Sequence, residues 1–344
     1  MITTIYLAGL LHDIGKVVQR SGGQSGTHSE IGYEWLKNYA GLTASNSYNK
    51  AILHSVRYHH SKEIINSSSL SDNSIAYIVY EADNIASGAD RRAIEGESEG
   101  AQNKQKIFDR NMPLESIFNF LKGRPDENDR RFHYLRGLTE NESYINFGKT
   151  KENGAVQASE DAYKRIENLM GEHFKSFDDS SHTLVSLMNV LEALWTYVPS
   201  STNTTEIADI SLYDHAKVTA GLANAMYLYA REHGESDYKT YFYKSGTKQR
   251  DTSMFRIVSG ELVGIENFIY TASGKGALKS LRGRAFYLDL LVEHIVDEIL
   301  DTLNLNRCNL LHTGHGHFYL LVPNLCNIDR HLKELQDAFT DWIL

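Results

Sequence analysis

The chain has 344 residues, with 44 Asp and Glu against 35 Lys and Arg, a formal net charge of −9, 41% hydrophobic residues and two cysteines. That is the composition of a globular protein with one large domain or two. It excludes a generic basic nucleic-acid coat, whose affinity comes from phosphate neutralisation, and a disulfide scaffold. No run of 18 apolar residues and no basic–apolar leader is present, so the expectation is a reduced, cytoplasmic protein without membrane contact.

Leu7, Leu10, Leu11, Ile14, Val17 and Val18 predict a helix over 4–20, stopped by Ser21-Gly22-Gly23. A second helix over 27–40 opens on Thr27 with Glu30 three residues on, a capping box, and carries Ile31, Trp35 and Tyr39. Helices follow over 48–60, ending at His59-His60, and over 73–87, with Ile75, Ile78, Val79 and Ala82 inward. Residues 93–105 read as a polar linker and 114–122 as a short helix. Residues 123–158 read as a charged excursion with an edge strand at 143–148.

Amphipathic helices return over 159–176, 181–198 and 211–232, the last with Tyr213-Asp214-His215 in its first turn. The pattern then changes. Strands are predicted at Phe255–Val258, Asn309–His312 and His317–Val322, and helices from Ile265, over 275–304 and over 327–343. Gly314-His315-Gly316 makes the tight turn between the last two strands. The expected fold is a mostly α N-terminal domain followed by an α+β unit, one sheet with helices on one face.

The first helix holds the most informative pair. His12-Asp13 lies in an apolar stretch, where a carboxylate is costly unless it is paired or ligating. Further imidazoles and acids that could close a site around it are His28, His59, His60, Asp83 and His215. Each has a plainer role when taken singly: His59-His60 as a solvated helix end, Asp83 as a partner of Ser87 or Arg91. Together they make a nitrogen and oxygen donor set suited to Mn, Fe, Ni, Co or Zn, gathered from several helices as bundle-core sites are. Such an ion activates water and polarises a phosphoryl oxygen.

In the C-terminal part, Ser273-Gly274-Lys275-Gly276 leads into Lys279, Arg282 and Arg284, cations suited to a triphosphate or RNA backbone. It is not a P-loop, and an exposed basic helix start explains it equally well. The hairpin Gly314-His315-Gly316-His317 carries no acid, and Glu261 is the nearest acid that could hold a metal there.

These residues carry a resemblance. His12-Asp13, Arg57-Tyr58-His59-His60, Glu81-Ala82-Asp83-Asn84, Val198-Pro199-Ser200-Ser201-Thr202-Asn203, Asp209 to His215, Gly264 to Tyr270 and Leu281-Arg282-Gly283-Arg284 are similar, in order, to the large subunit of type III-A CRISPR effector complexes, the Csm complexes. The resemblance implies a permuted HD nuclease domain followed by a ferredoxin-like palm. The boundaries expected are 1–105 for the HD core, 106–160 for the excursion, 161–245 for helices completing the HD domain, and 250–344 for the first palm.

It further implies a nuclease that cuts single-stranded DNA once the complex has bound target RNA. His12, Asp13 and Lys16 would be catalytic, and His12, Asp13, His28, His59, His60, Asp83 and His215 would hold metal. That metal would be Mn, Ni or Co, with Mg as a further option. Partners would be other Csm subunits, including the small helical one, CRISPR RNA and target RNA. The palm would take ATP near Ser273, Lys279, Arg282, Gly314, His315 and Gly316. A second palm, with the acidic turn that carries the cyclase metal, is not in this chain, so cyclic oligoadenylate synthesis by the chain alone is not expected. Val263 stands where the family usually has serine, and His315 where it has glycine. Two other readings use the same residues: an HD phosphohydrolase of small nucleotides, and a non-catalytic scaffold with a vestigial site.

Overall fold

The computed structural model describes residues 1–23, 25–90, 107–121, 129–138, 149–150, 158–175, 181–271 and 277–343. The opening helix α1 (Ile2–Leu11) is apolar on every side and is buried on every side from Thr4 onward. It is followed by α2 (Gly15–Arg20), α3 (His28–Tyr39), α4 (Ser47–Arg57), α5 (Ser61–Ile65), α6 (Ala76–Asp90), α7 (Glu160–Phe174), α8 (Ser181–Trp195) and α9 (Leu212–Glu232), of which α4, α6, α8 and α9 pack against it. β1 (Arg131–Phe132) and β2 (Lys149–Thr150) form a short antiparallel pair. A π-helical turn, Lys239–Lys244, and α10 (Gly246–Gln249) lead into the sheet unit.

That unit contains β3 (Phe255–Glu261), α11 (Ile265–Tyr270), α12 (Ala277–Thr302), β4 (Leu310–Gly314), β5 (His317–Pro323) and α13 (Ile328–Ile343). The sheet is antiparallel, in the order β3-β5-β4. Its alternating side chains divide between two cores. Phe318, Leu320 and Val322 join Leu291, Ile295 and Ile299 of α12, whereas Leu321 joins Leu222 and Met226 of α9. Both faces are therefore covered, one by α12 and α13 and the other by α9, where the sequence pattern predicts helices on one face only.

Other differences have local causes. The predicted helix over 4–20 is broken at His12–Ile14. Ile14 N–H bonds back only three residues to Leu11, and Lys16 N–H only three to Asp13. His12 Nδ1 takes the Gly9 carbonyl that an unbroken ladder would use. The helix predicted to reach His60 ends at Arg57, and His60 is extended before α5. The predicted helix over 114–122 is reduced to one 3₁₀ turn, Ile117–Phe120. The linker at 93–105 and the strand at 143–148 lie outside the described residues. The capping box at Thr27 and Glu30 is present.

Two glycines let the helices approach on either side of the break. A Cβ at Gly9 would lie 2.5 Å from Ala220 Cα on α9, and one at Gly15 would overlap the His28 carbonyl oxygen on α3. A buried polar knot ties these helices to the sheet. Asn224 of α9 donates to the Tyr6 hydroxyl (2.7 Å), Tyr6 donates to Asn309, and Asn309 donates to the Leu321 carbonyl (2.7 Å). Replacing Gly15 by Ala is expected to cost about 1–3 kcal/mol through overpacking, read as a lower melting midpoint by circular dichroism. A Gly15→Ala protein as stable as its parent would contradict the close α2–α3 approach.

Candidate metal centre

The break between α1 and α2 delivers His12 and Asp13 into a space walled by α3, the α4–α5 junction, α6 and α9. Three imidazoles turn the same way. Nδ1 of His12 donates to the Gly9 carbonyl, Nδ1 of His59 to the Val56 carbonyl, and Nδ1 of His215 to the Asp90 carboxylate, each at 2.7 Å. Those acceptors fix the proton on Nδ1, so Nε2 of each ring faces inward.

The inward atoms fall into two groups joined by one carboxylate. In the first, Nε2 of His12 and of His215 lie 3.7 and 3.2 Å from Asp83 Oδ1, and 3.2 and 3.4 Å from Asp13 Oδ2. In the second, Nε2 of His28 lies 3.1 Å from that of His59 and 2.9 Å from that of His60. Asp13 Oδ1 lies 3.3 and 3.6 Å from Nε2 of His28 and His59. His12, Asp83 and His215 offer ligand atoms within 4.8 Å of one another, and so do His28, His59 and His60. Asp13 thus presents one oxygen to each triad.

Burial makes this arrangement demanding. His12, Asp13 and His59 are fully enclosed, whereas Lys16, His28 and His60 are 21%, 20% and 39% exposed and form the mouth. His12 Nε2, His215 Nε2 and both Asp13 oxygens are buried without a hydrogen-bond partner. The Lys16 ammonium makes an ion pair with Asp13 Oδ2 at 2.5 Å, outside hydrogen-bond geometry. Buried polar atoms are normally satisfied, so four converging orphans on imidazole and carboxylate fit a resident divalent cation.

The charges differ between the two groups. Burial opposes a charge on His12, but Asp13 and Asp83 outweigh it and raise its pKa to about 9. His215 is raised well above the usual range, against burial, by Asp13, Asp83 and Asp90. Burial also opposes the carboxylates, yet Lys16 and His12 hold Asp13 well below the usual carboxylate range, and His12 and His215 do the same for Asp83. In the other triad, burial drives His28 down to about 4, and burial with His59 and His28 drives His60 far down. Charge is disfavoured on His28 and His60, and the His12 side is a carboxylate-rich pocket that holds protons until a cation replaces them.

All seven residues picked out as metal ligands from the sequence therefore meet around one carboxylate. Ser87 does bond Asp83, donating to Oδ1 at 3.2 Å. Asp90 was missed by sequence reasoning, although it lies seven residues after Asp83 on the same face of α6, a spacing that marks it. The predicted nucleotide-binding residues do not assemble in the same way. Ser273 lies outside the described residues. Lys279 and Arg282 are exposed on α12, and among the described residues no hydrogen bond or ion pair joins them to the hairpin. In the hairpin, His315 and Gly316 both have positive φ, at 53° and 82°, and His317 faces Glu261 at 3.3 Å. No helix among the described residues is long and apolar enough to cross a membrane.

Residues 1–88 match the HD domain family and residues 254–344 match the Csm1 subunit domain B. The chain is 39% identical over 342 residues to the single-strand-specific deoxyribonuclease Cas10/Csm1 (subtype III-A) of Enterococcus italicus, and 35% identical over 341 residues to that of Streptococcus thermophilus. The alignments take in 97% and 99% of this chain but only 43% of each relative. Csm1 of T. onnurineus superposes with a TM-score of 0.72 at 28% identity, covering 100% of this chain and 43% of that one. The Csm1–Csm4 subcomplex of a type III-A interference complex gives 0.73 at 28%, covering 99% and 42%. The chain is a homologue of the type III-A Cas10/Csm1 subunit, matching its HD domain and part of its domain B.

Neutralising the carboxylate behind His215 should loosen the centre without deleting a ligand atom. Asp90→Asn is expected to weaken Mn²⁺ binding about 10–100-fold, measured by titration calorimetry. Binding to the parent chain at pH 7.5 should release protons from the His12 side, seen as a dependence of heat on buffer ionisation enthalpy. Unchanged affinity in the variant, or no proton release in the parent, would contradict the roles given to Asp90 and to the His12 pocket.

Proposed function

We propose that this homologue of the type III-A Cas10/Csm1 subunit is a divalent-metal-dependent nuclease that hydrolyses single-stranded DNA within an RNA-guided assembly. The observation that carries the reading is the pair of inward-facing ligand triads sharing Asp13, with both Asp13 oxygens and Nε2 of His12 and His215 buried without a hydrogen-bond partner. The relatives' single-strand-specific deoxyribonuclease activity supports it. The chain spans about 43% of those relatives, so the activity, substrate and partners are proposals for this chain.

His12, Asp83, His215 and Asp13 Oδ2 would hold one ion, and His28, His59, His60 and Asp13 Oδ1 a second. Mn, Ni or Co suits this nitrogen-rich set. When bound, such ions lower the pKa of coordinated water to about 7 and polarise a phosphoryl oxygen. The chain's own groups supply the rest. Gly9, Val56 and Asp90 orient the imidazoles. Lys16, at the rim, offers its ammonium to a non-bridging phosphate oxygen. The buried wall of His12, Asp13 and His59 keeps bulk water from the far side, so among the described residues the open side for a phosphodiester is past His60, His28 and Lys16.

The domain limits follow: an HD core at 1–105 completed by 161–245, a polar excursion at 106–160, and a palm at 250–344. The palm reading is supported by the order β3, α12, β4, β5, α13, which runs through five of the six elements of a split βαββαβ unit. Csm1–Csm4 cassettes have been crystallised with ATP and with cA4. On that basis this palm offers half of an ATP site, and its acid-free hairpin leaves cyclisation to a second palm. A Csm4-type subunit, the small helical subunit, CRISPR RNA and target RNA are the expected partners. Retention of the whole ligand set speaks against a vestigial scaffold.

Incubating the chain with Mn²⁺ and end-labelled oligodeoxynucleotide, with and without the assembled complex and target RNA, tests this. Single strands should be cut and duplex spared. His12→Ala or Asp83→Ala should lower the rate at least about 100-fold, the loss of a ligand exceeding that of its outer partner. Hydrolysis of mononucleotides with DNA untouched would instead favour the small-nucleotide enzyme.

A further inference from the structure

We infer that Tyr80 and Tyr243 form a stacking platform for the bases of single-stranded DNA at the mouth of the metal centre. The inference rests on the nuclease reading and adds a binding subsite to it. The mouth is defined by exposure: His60 is the most open of the gathered imidazoles at 39%. The next residue, Ser61, is exposed, and its hydroxyl lies 3.5 Å from that of Tyr243. The Tyr243 ring meets that of Tyr80 edge-on, with centroids 5.4 Å apart. Tyr80 stands three residues before Asp83 on α6, one turn along the same face. The aromatic pair is thus tied to the site from two sides, through His60–Ser61 and through the Asp83 helix.

Both rings are only half-buried, while Tyr77, fully buried, backs Tyr243 with its centroid 6.0 Å away. Tyr243 sits in the six-residue π-helix Lys239–Lys244, a rare conformation that is frequent at functional sites. Lys244, next to Tyr243 in sequence, and Lys62, next to Ser61, are exposed. Aromatic faces interleaved with cations are how non-specific single-strand sites are built, because every base has a π-face and every linkage a charge. Duplex DNA hides its base faces and gains nothing here. The overall charge of −9 leaves stacking, with a few local cations, as the source of affinity.

The test uses the full chain in EDTA, so that nothing is cut, and fluorescence anisotropy with two labelled single strands of equal length: oligo-dT and one with consecutive abasic residues. Oligo-dT should bind about tenfold more tightly, within the range for stacking of one base. Tyr243→Leu and Tyr80→Leu should each reduce that preference to about twofold or less, and Tyr243→Phe, which keeps the ring, should retain it. Two results would overturn the platform: no preference for oligo-dT in the parent, or a preference that survives in both leucine variants. Mn²⁺-dependent cleavage by the parent is scored separately. Its absence both from the free chain and from the assembled complex with target RNA would sink the nuclease reading, while the abasic comparison decides the platform on its own.

Discussion

The structure is organised around the cost of one buried carboxylate. Asp13 is 1% exposed, and an isolated ionised carboxylate in such a place would be strongly destabilising. Protonation would remove the charge, but Lys16 and His12 hold the group ionised. A buried anion kept charged must be met by partners from several directions. His12, His28, His59 and His215 all turn a ring nitrogen towards it. The charged pair therefore decides where four separate helical elements must place their ends.

Meeting that demand requires close helix approach, which explains why the two tightest backbone contacts flank the pair. Gly9 lies three residues before His12 and admits α9, which carries His215. Gly15 lies two residues after Asp13 and admits α3, which begins at His28. Side chains at either glycine would push the helices apart by more than the short imidazole reach could recover. The break in the helical ladder serves the same end. By giving the Gly9 carbonyl to His12 Nδ1, the chain frees His12 and Asp13 from the directions a straight helix would impose.

Much of this was legible before any coordinates. A carboxylate inside an apolar run announces a partner or a ligand, and Thr27 with Glu30 announces the start of α3. The change from helical to strand period near residue 255 marks the second unit. What was not legible depends on three-dimensional pairing. Nothing in the 4–20 pattern signals the break, because all its apolar residues are buried on either side of it and the periodicity is undisturbed. The division of seven ligands into two triads needs the two oxygens of Asp13 to be seen facing different ways. Cover for the second face of the sheet comes from Leu222 and Met226 of α9, nearly a hundred residues upstream of Leu321, so no local pattern in the strands reveals it. The adjacency of Ser61 and Tyr243, 182 residues apart, is likewise a product of packing alone.

The same helix that covers the sheet also carries a ligand, and this joins the two halves of the molecule mechanically. His215 is in the first turn of α9, and Leu222 and Met226, which pack with Leu321, are two and three turns further on. At about 1.5 Å per residue, sheet contact and ligand stand roughly 10–16 Å apart on one rigid rod. Asn224, between those contacts, bonds Tyr6, and Tyr6 is on the helix that ends at His12. Tyr6 and Asn309 in turn fasten β4 and β5 to the same knot. The sheet therefore holds the two helices that bring imidazoles to the carboxylate-rich pocket, one by apolar packing and the other by hydrogen bonds. It cannot shift by much without straining His12 or His215, and a close-packed interior transmits such strain rather than absorbing it.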